Sequence, residues 1–112
     1  MIEDVGEAGR RCGLNENQLK ASVVNSIQPI SITTTQNGPH VYVNVNTLIF
    51  DKGLCVSHIS LEVKDWKGGE LLLWQQGSMI SSNQPDHARR VSNTVADLSK
   101  ELVADWRLDN SH

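Results

Sequence analysis

Apolar and polar positions alternate along one long central stretch of the chain. The stretch "VYVNVNTLIFDKGLCVSHISLEV", residues 41–63, alternates on both sides of a glycine and predicts a β-hairpin. The loop at 51–53 ends in that glycine, which is typical of a three-residue turn with the glycine in the left-handed conformation. Such a turn pairs Phe50 with Leu54 and places the apolar positions of both strands on one face. Because a slip of one residue would mix the two faces, turn and pattern together predict the register.

Two other stretches have helical spacing. Asn15 predicts the N-cap of a helix over residues 15–27, which must end before Pro29. Its apolar residues recur every fourth position, at Leu19, Val23 and Ile27. A longer helix is predicted over residues 85–107, with apolar residues three or four positions apart. These are Ala88, Val91, Val95, Leu98, Leu102 and Trp106.

Two shorter signals extend the sheet. The β-branched segment "ISITTT" at 30–35 predicts a strand, and "KGGE" at 67–70 predicts a tight turn into another strand. The favoured pairing places Trp74 opposite Val63, with Leu72 and Ile80 on the core side. A looser turn would instead bury Leu71, Leu73 and Met79.

The predicted fold is therefore α+β. It consists of a helix, a four-stranded antiparallel meander sheet and a long C-terminal helix, with both helices on one face of the sheet. The 112 residues suit a single domain, 1–112, in which we expect 1–13 to form a flexible N-terminal segment.

Composition and charge exclude several functional classes. The formal net charge is −3 and the basic residues are scattered, which argues against a nucleic-acid partner. No apolar run approaches the length of a membrane span. The N-terminal segment "MIEDVGEAGRRCG" lacks the apolar region of a signal peptide, so we expect either a cytoplasmic protein or a chain whose leader has been removed.

Cys12 and Cys55 are the two cysteines of the chain. We predict two free thiols, with Cys55 as a small core residue, because unpaired cysteine is often buried. A disulfide between them is the alternative in an exported protein. Cysteine and histidine do not occur at metal-ligand spacing, so we predict no metal and no cofactor.

Short motifs carry a resemblance to a known family. "RRCGLNENQL", "HVYVNVNTL" and "WQQGS", followed by a long terminal helix, resemble a family of small exported bacterial proteins of unknown function. The resemblance spans roughly residues 10–107. It implies a periplasmic or secreted location, with the cytoplasm as the alternative, and it transfers no catalytic residue. By analogy of fold, it also implies a binding role.

The outer face of the predicted hairpin carries the candidate site residues. Its middle is polar and forms a candidate ligand-binding group, namely Asn44, Asn46, His58 and Ser60. A solvated polar face is the alternative. Its turn end is apolar and forms a candidate interface with Leu48, Phe50, Leu54 and Val56, together with Trp66 towards the far end. This end could instead be covered by the N-terminal residues 1–13, which would leave the protein monomeric.

We therefore predict a non-enzymatic binding or assembly module of the cell envelope, with a protein partner or a second copy of the chain as its ligand. The alternative is a small-molecule-binding or enzymatic domain that uses the polar group.

Overall fold

The computed structural model describes residues 2–28, 39–65 and 71–109. Its helices and strands follow in the order α1 (Gly6–Arg11), α2 (Glu16–Ile27), β1 (His40–Phe50), β2 (Leu54–Asp65), β3 (Leu71–Asn83) and α3 (Gln84–Asp109). Asn15 caps α2 as predicted, since its side chain accepts hydrogen bonds from the N–H groups of Asn17 and Gln18.

The register of the hairpin is confirmed along its whole length. β1 and β2 are antiparallel and pair from Phe50–Leu54 to Val41–Val63. Gly53 adopts a φ of 74°, and Lys52, at 69°, shares the left-handed conformation. On the other side of β2, Trp74 faces Val63 as predicted.

A bulge then shifts the pairing of β2 with β3. The shift lies between Val63 and Lys64, so that Leu72 faces Lys64. Leu72 remains 50% exposed, and its predicted place on the core side is wrong. The predicted turn at 67–70 and Trp66 lie outside the described residues.

The prediction of a four-stranded sheet is wrong, because the sheet of the described residues has three strands in the order β1-β2-β3. The start of the chain instead pairs at Val43 with the outer edge of β1, which is the edge that faces away from β2. Ile2 forms a parallel bridge with Val43, and the Glu3 N–H donates to the Val43 carbonyl over 2.9 Å. The segment 30–35, predicted as the additional strand, lies outside the described residues.

α3 packs on one face of the sheet, and α2 packs against α3. The apolar stripes of both helices meet the inward-facing strand residues in one core. Its fully buried members include Val23, Val41, Val43, Ile59, Leu61, Val63, Val91, Val95 and Leu102. The opposite face of the sheet, the outer face, carries the candidate site residues.

The N-terminal segment contains α1, for which the sequence predicted no element. Asp4 Oδ1 accepts from the Gly6 N–H over 2.6 Å at its start. At its end, Gly13 has a φ of 86°, its N–H bonds the Arg10 carbonyl, and the Leu14 N–H bonds the Gly9 carbonyl. This is a Schellman motif, which satisfies carbonyls that the end of a helix leaves free.

The prediction of two free thiols is wrong, because Cys12 and Cys55 form a disulfide. Cys12 follows the last residue of α1, and Cys55 lies on the inward face of β2. Both are fully buried, so Cys55 does occupy the predicted core position. The bond is possible because α1 lies against β1, which the sequence did not indicate.

Candidate functional site

A groove of about 510 Å³ opens between the N-terminal segment and the hairpin. One wall is formed by the start of α1 and the residues before it, and the other by consecutive residues of β1. Side chains of the outer face form the floor. The lining comprises Asp4, Val5, Gly6, Glu7, Ala8, Val45, Asn46, Thr47, Leu48, Val56, His58 and Met79.

The N-terminal wall is held in place at several points. The Ile2 bridge fixes it to β1 at one end, and the Cys12–Cys55 disulfide fixes it to β2 at the other. Between them, Val5 is buried in the core. Gly9 allows close packing of α1, since a Cβ on it would lie 3.0 Å from the Val5 Cβ. The groove is therefore bounded by anchored elements on both sides.

Two of the four predicted polar residues line this groove. Asn46 and His58 are paired across the strands and are exposed. Asn44 pairs with Ser60 further along the outer face, as predicted, but neither lines the groove. Ser60 is buried, and its Oγ donates to Glu62 Oε1 over 3.3 Å. The predicted polar group is thus divided between the groove and the open sheet.

The predicted apolar end of the outer face is exposed at two of its four described side chains. Leu48 is 63% exposed and Phe50 is 53% exposed, whereas Leu54 and Val56 are half-buried. Leu48 and Val56 line the groove together with the N-terminal segment, whereas Phe50 lies outside the groove.

Met79 is a groove residue that the sequence analysis did not assign to the site. It faces His58 from β3 and is 66% exposed. The favoured pairing of the last two strands already predicted this position, because it places residue 79 opposite residue 58. The favoured register thus places Met79 on the outer face, whereas the looser turn would bury it in the core.

The ionisable side chains that line the groove are Asp4, Glu7 and His58, and no lysine or arginine is among them. Arg10 lies behind the wall and donates to Asp4 Oδ1 over 3.1 Å. The Gly6 N–H and then the Arg10 guanidinium lower the pKa of the Asp4 carboxyl below its ordinary value of 3.8. Glu7 is exposed, and none of the described residues pairs with it. The groove therefore carries uncompensated negative charge.

A second polar cluster lies in the core behind the groove. His87 Nε2 lies 2.7 Å from Ser57 Oγ, and His87 Nδ1 lies 2.8 Å from Ser82 Oγ. Ser57 Oγ also lies 2.7 Å from Thr47 Oγ1, which connects the cluster to the groove wall. Burial lowers the pKa of His87 below its ordinary value of 6.5. A neutral imidazole has one donor and one acceptor, so one serine donates to it and the other accepts.

The geometry of this cluster is that of a structural network. His87 and Ser57 are fully buried, so a substrate cannot reach the hydroxyl that the imidazole contacts. Sequence reasoning missed the cluster because its three members come from β2, the end of β3 and the start of α3. Polar residues at inward positions 57 and 82 were the available signal.

The described residues contain no group of three or more histidine, cysteine, aspartate or glutamate side chains placed to hold a metal ion. Among the helices described above, none combines the length and the apolar character that crossing a membrane requires.

Comparison with known proteins assigns no family. No protein-family model matches the chain, and no curated protein matches it. The crystal structure of an uncharacterised protein is 13% identical, with a TM-score of 0.45 over 80% of this chain and 62% of that one. A minor lipoprotein from Acinetobacter baumannii is 11% identical, with a TM-score of 0.38 over 96% of this chain and 91% of that one. This chain thus spans less than two thirds of the first structure.

Proposed function

We propose that this protein is a non-enzymatic binding module that engages another polypeptide through its outer sheet face, in the simplest case a second copy of itself. The observation that carries the proposal is the exposure of Leu48, Phe50 and Met79 on that face. Soluble monomers rarely leave a large contiguous apolar patch in water.

The exposed area sets the strength of such an interaction. The three side chains leave on the order of 300 Å² of apolar surface in water. At about 25 cal/mol per Å², burying it yields roughly 7–8 kcal/mol from each copy. Association costs about 4–15 kcal/mol in lost translational and rotational freedom. Two copies would together bury an area below that of stable interfaces, so we expect a weak complex.

The disulfide supports a location outside the cytoplasm. A buried disulfide in a chain of 112 residues forms and persists in oxidising compartments such as the periplasm or the extracellular space. In a reducing cytoplasm the same pair would remain as thiols. We infer that the protein acts in the cell envelope or beyond it, in agreement with the family resemblance.

Light scattering coupled to size exclusion tests the second-copy proposal. We expect the wild type to be dimeric at high micromolar concentration and Phe50→Asp to be a folded monomer. Leu72→Asp is the matched control, because Leu72 is equally exposed but lies beyond the bulge at the other end of the sheet. It should remain dimeric. A monomeric wild type would contradict the proposal, as would a dimer that tolerates Phe50→Asp.

The groove favours small-molecule binding as a second candidate function. Its volume of about 510 Å³ lies within the usual range for ligand pockets, and its lining combines apolar side chains with Asn46 and His58. A fragment screen by NMR tests this function. Bound fragments should shift the amide signals of Asn46 and His58, and His58→Ala should abolish these shifts. Asn44→Ala, outside the groove, is the control and should leave them unchanged. Fragments that shift other surfaces instead would contradict it.

A further inference from the structure

The outer edge of β1 has backbone groups without partners. In an antiparallel pair, alternate residues direct both their N–H and their C=O away from the neighbouring strand. Val43 is one of these, since its carbonyl accepts from Glu3 on the side away from β2. Thr47 and Ile49 share its orientation. Among the described residues, no backbone group pairs with theirs at this edge, because the N-terminal segment has already turned away into α1.

The groove follows this edge. Four consecutive residues of β1, 45–48, line it. Successive side chains of a strand point to opposite faces, so a surface that touches all four runs along the strand's edge. From there the groove extends onto the outer face, where Leu48, Val56 and Met79 provide apolar contacts. An extended chain in the groove could pair its backbone with the edge of β1 and place its side chains against the outer face.

The charge of the groove selects among peptides. Asp4 and Glu7 contribute carboxylates, and lysine and arginine are absent from the lining. Arg10 compensates Asp4, which leaves Glu7 as the carboxylate without a partner among the described residues. A basic side chain beside the apolar floor would complement this arrangement, with its aliphatic stem against the floor and its charged end near Glu7.

We propose that the groove binds an extended polypeptide segment that adds a strand to β1 at Thr47 and Ile49. The segment carries apolar residues that contact Leu48 and Met79, and a lysine or arginine that faces Glu7. Main-chain hydrogen bonds supply affinity in this mode, and the side-chain contacts supply specificity. The inference rests on the proposed polypeptide-binding function and names the chemistry of the partner.

NMR titration with two matched peptides tests the proposal. The probes are blocked pentapeptides of alternating lysine and valine, and of alternating glutamate and valine. The lysine peptide should shift the amide signals of Thr47 and Ile49 and slow their hydrogen exchange about tenfold. The glutamate peptide should bind at least several-fold more weakly. Equal binding of both peptides would overturn the charge argument, and shifts confined to other surfaces would overturn strand addition.

Two substitutions separate the backbone and charge contributions. Thr47→Pro removes the outward N–H and leaves the bonds to β2 intact, as prolines on edge strands do. Thr47→Val is its matched control, because it also loses the hydroxyl bond to Ser57 but keeps the N–H. We expect Thr47→Pro to bind the lysine peptide about three- to tenfold more weakly than Thr47→Val. Glu7→Gln should weaken binding of the lysine peptide about two- to fivefold. It should not weaken binding of the glutamate peptide.

Hydrogen exchange of the free wild type is a further test that needs no variant. At a concentration where the protein is monomeric, the amides of Thr47 and Ile49 should exchange rapidly. Strong protection would show that the edge is already paired within the chain and would overturn the proposal. Leu48 and Met79 belong to both proposed surfaces, but the dimer test uses Phe50, which does not line the groove. A monomeric wild type that binds the lysine peptide would reject the second copy and retain strand addition.

Discussion

Reducing the Cys12–Cys55 disulfide should destabilise the protein substantially. The bond joins residues 43 positions apart and connects the end of α1 to the start of β2. Both sulfurs are fully buried, so reduction leaves two thiols within the same core and removes no packing atoms. In the chain-entropy view, the main effect is therefore that the unfolded chain regains the freedom that the crosslink had removed.

The magnitude follows from the length of the closed loop. For a separation of 43 residues, the lost entropy is about 13 cal/mol/K, which corresponds to about 4 kcal/mol at 25 °C. An unfolding entropy of about 2.1 cal/mol/K per residue converts this into a fall in Tm of about 15–20 °C for 112 residues. In urea, the midpoint should fall by about 2–3 M.

The assay compares oxidised protein with protein reduced in denaturant and refolded under a phosphine reductant, since the native bond is inaccessible. Intact mass confirms each state, because reduction adds two hydrogen atoms. The variant with both Cys12→Ala and Cys55→Ala is the control, and its urea midpoint should not respond to reductant. Equal midpoints for the oxidised and reduced wild type would refute the reasoning. Protein refolded in air that still carries both thiols would refute the disulfide itself.

Three further predictions concern the core. Leu98→Ala should lower the free energy of unfolding by about 2–5 kcal/mol, because Leu98 is buried in the core. Met79→Ala, at an exposed position, is the control and should change it by less than about 0.5 kcal/mol. Equal urea midpoints for the two variants would contradict the assigned core. Ser57→Ala should cost about 1–3 kcal/mol, because it leaves a buried His87 nitrogen unsatisfied, and an unchanged midpoint would argue against the network. The free energy of unfolding should also fall as the pH drops below about 6.5, because the imidazole binds a proton more readily in the unfolded chain than in the core, where burial lowers the pKa of His87. His87→Gln should lose this contribution to the pH dependence of stability. An identical pH profile in that variant would exclude His87 as the cause.

Local interactions explain what could be predicted from the sequence. The hairpin register depends on a three-residue turn and on alternation within 23 neighbouring residues, 41–63, and both signals are complete in the sequence. The N-cap at Asn15 and the stripe of α3 are similarly local. The cross-strand pairs Asn46–His58 and Leu48–Val56 follow from the same register, so four of the twelve groove residues were predictable.

The N-terminal segment shows where local signals were insufficient. Its helix has six residues and no apolar stripe, and isolated helices of that length are not stable in water. Gly13, with Leu14 after it, was a local signal for the end of a helix. The position of α1, however, depends on a bridge to Val43 and a disulfide to Cys55, residues more than 40 positions away in the chain.

The sequence by itself thus determined the hairpin, its two faces and the two longer helices, because periodicity, turns and caps involve neighbouring residues. The tertiary structure decided the number of strands in the described sheet, the disulfide and the groove. It also decided the network around His87, whose partners Ser57 and Ser82 come from two strands. Each of these depends on which distant segments meet, and that is determined by the burial of the whole chain around one core.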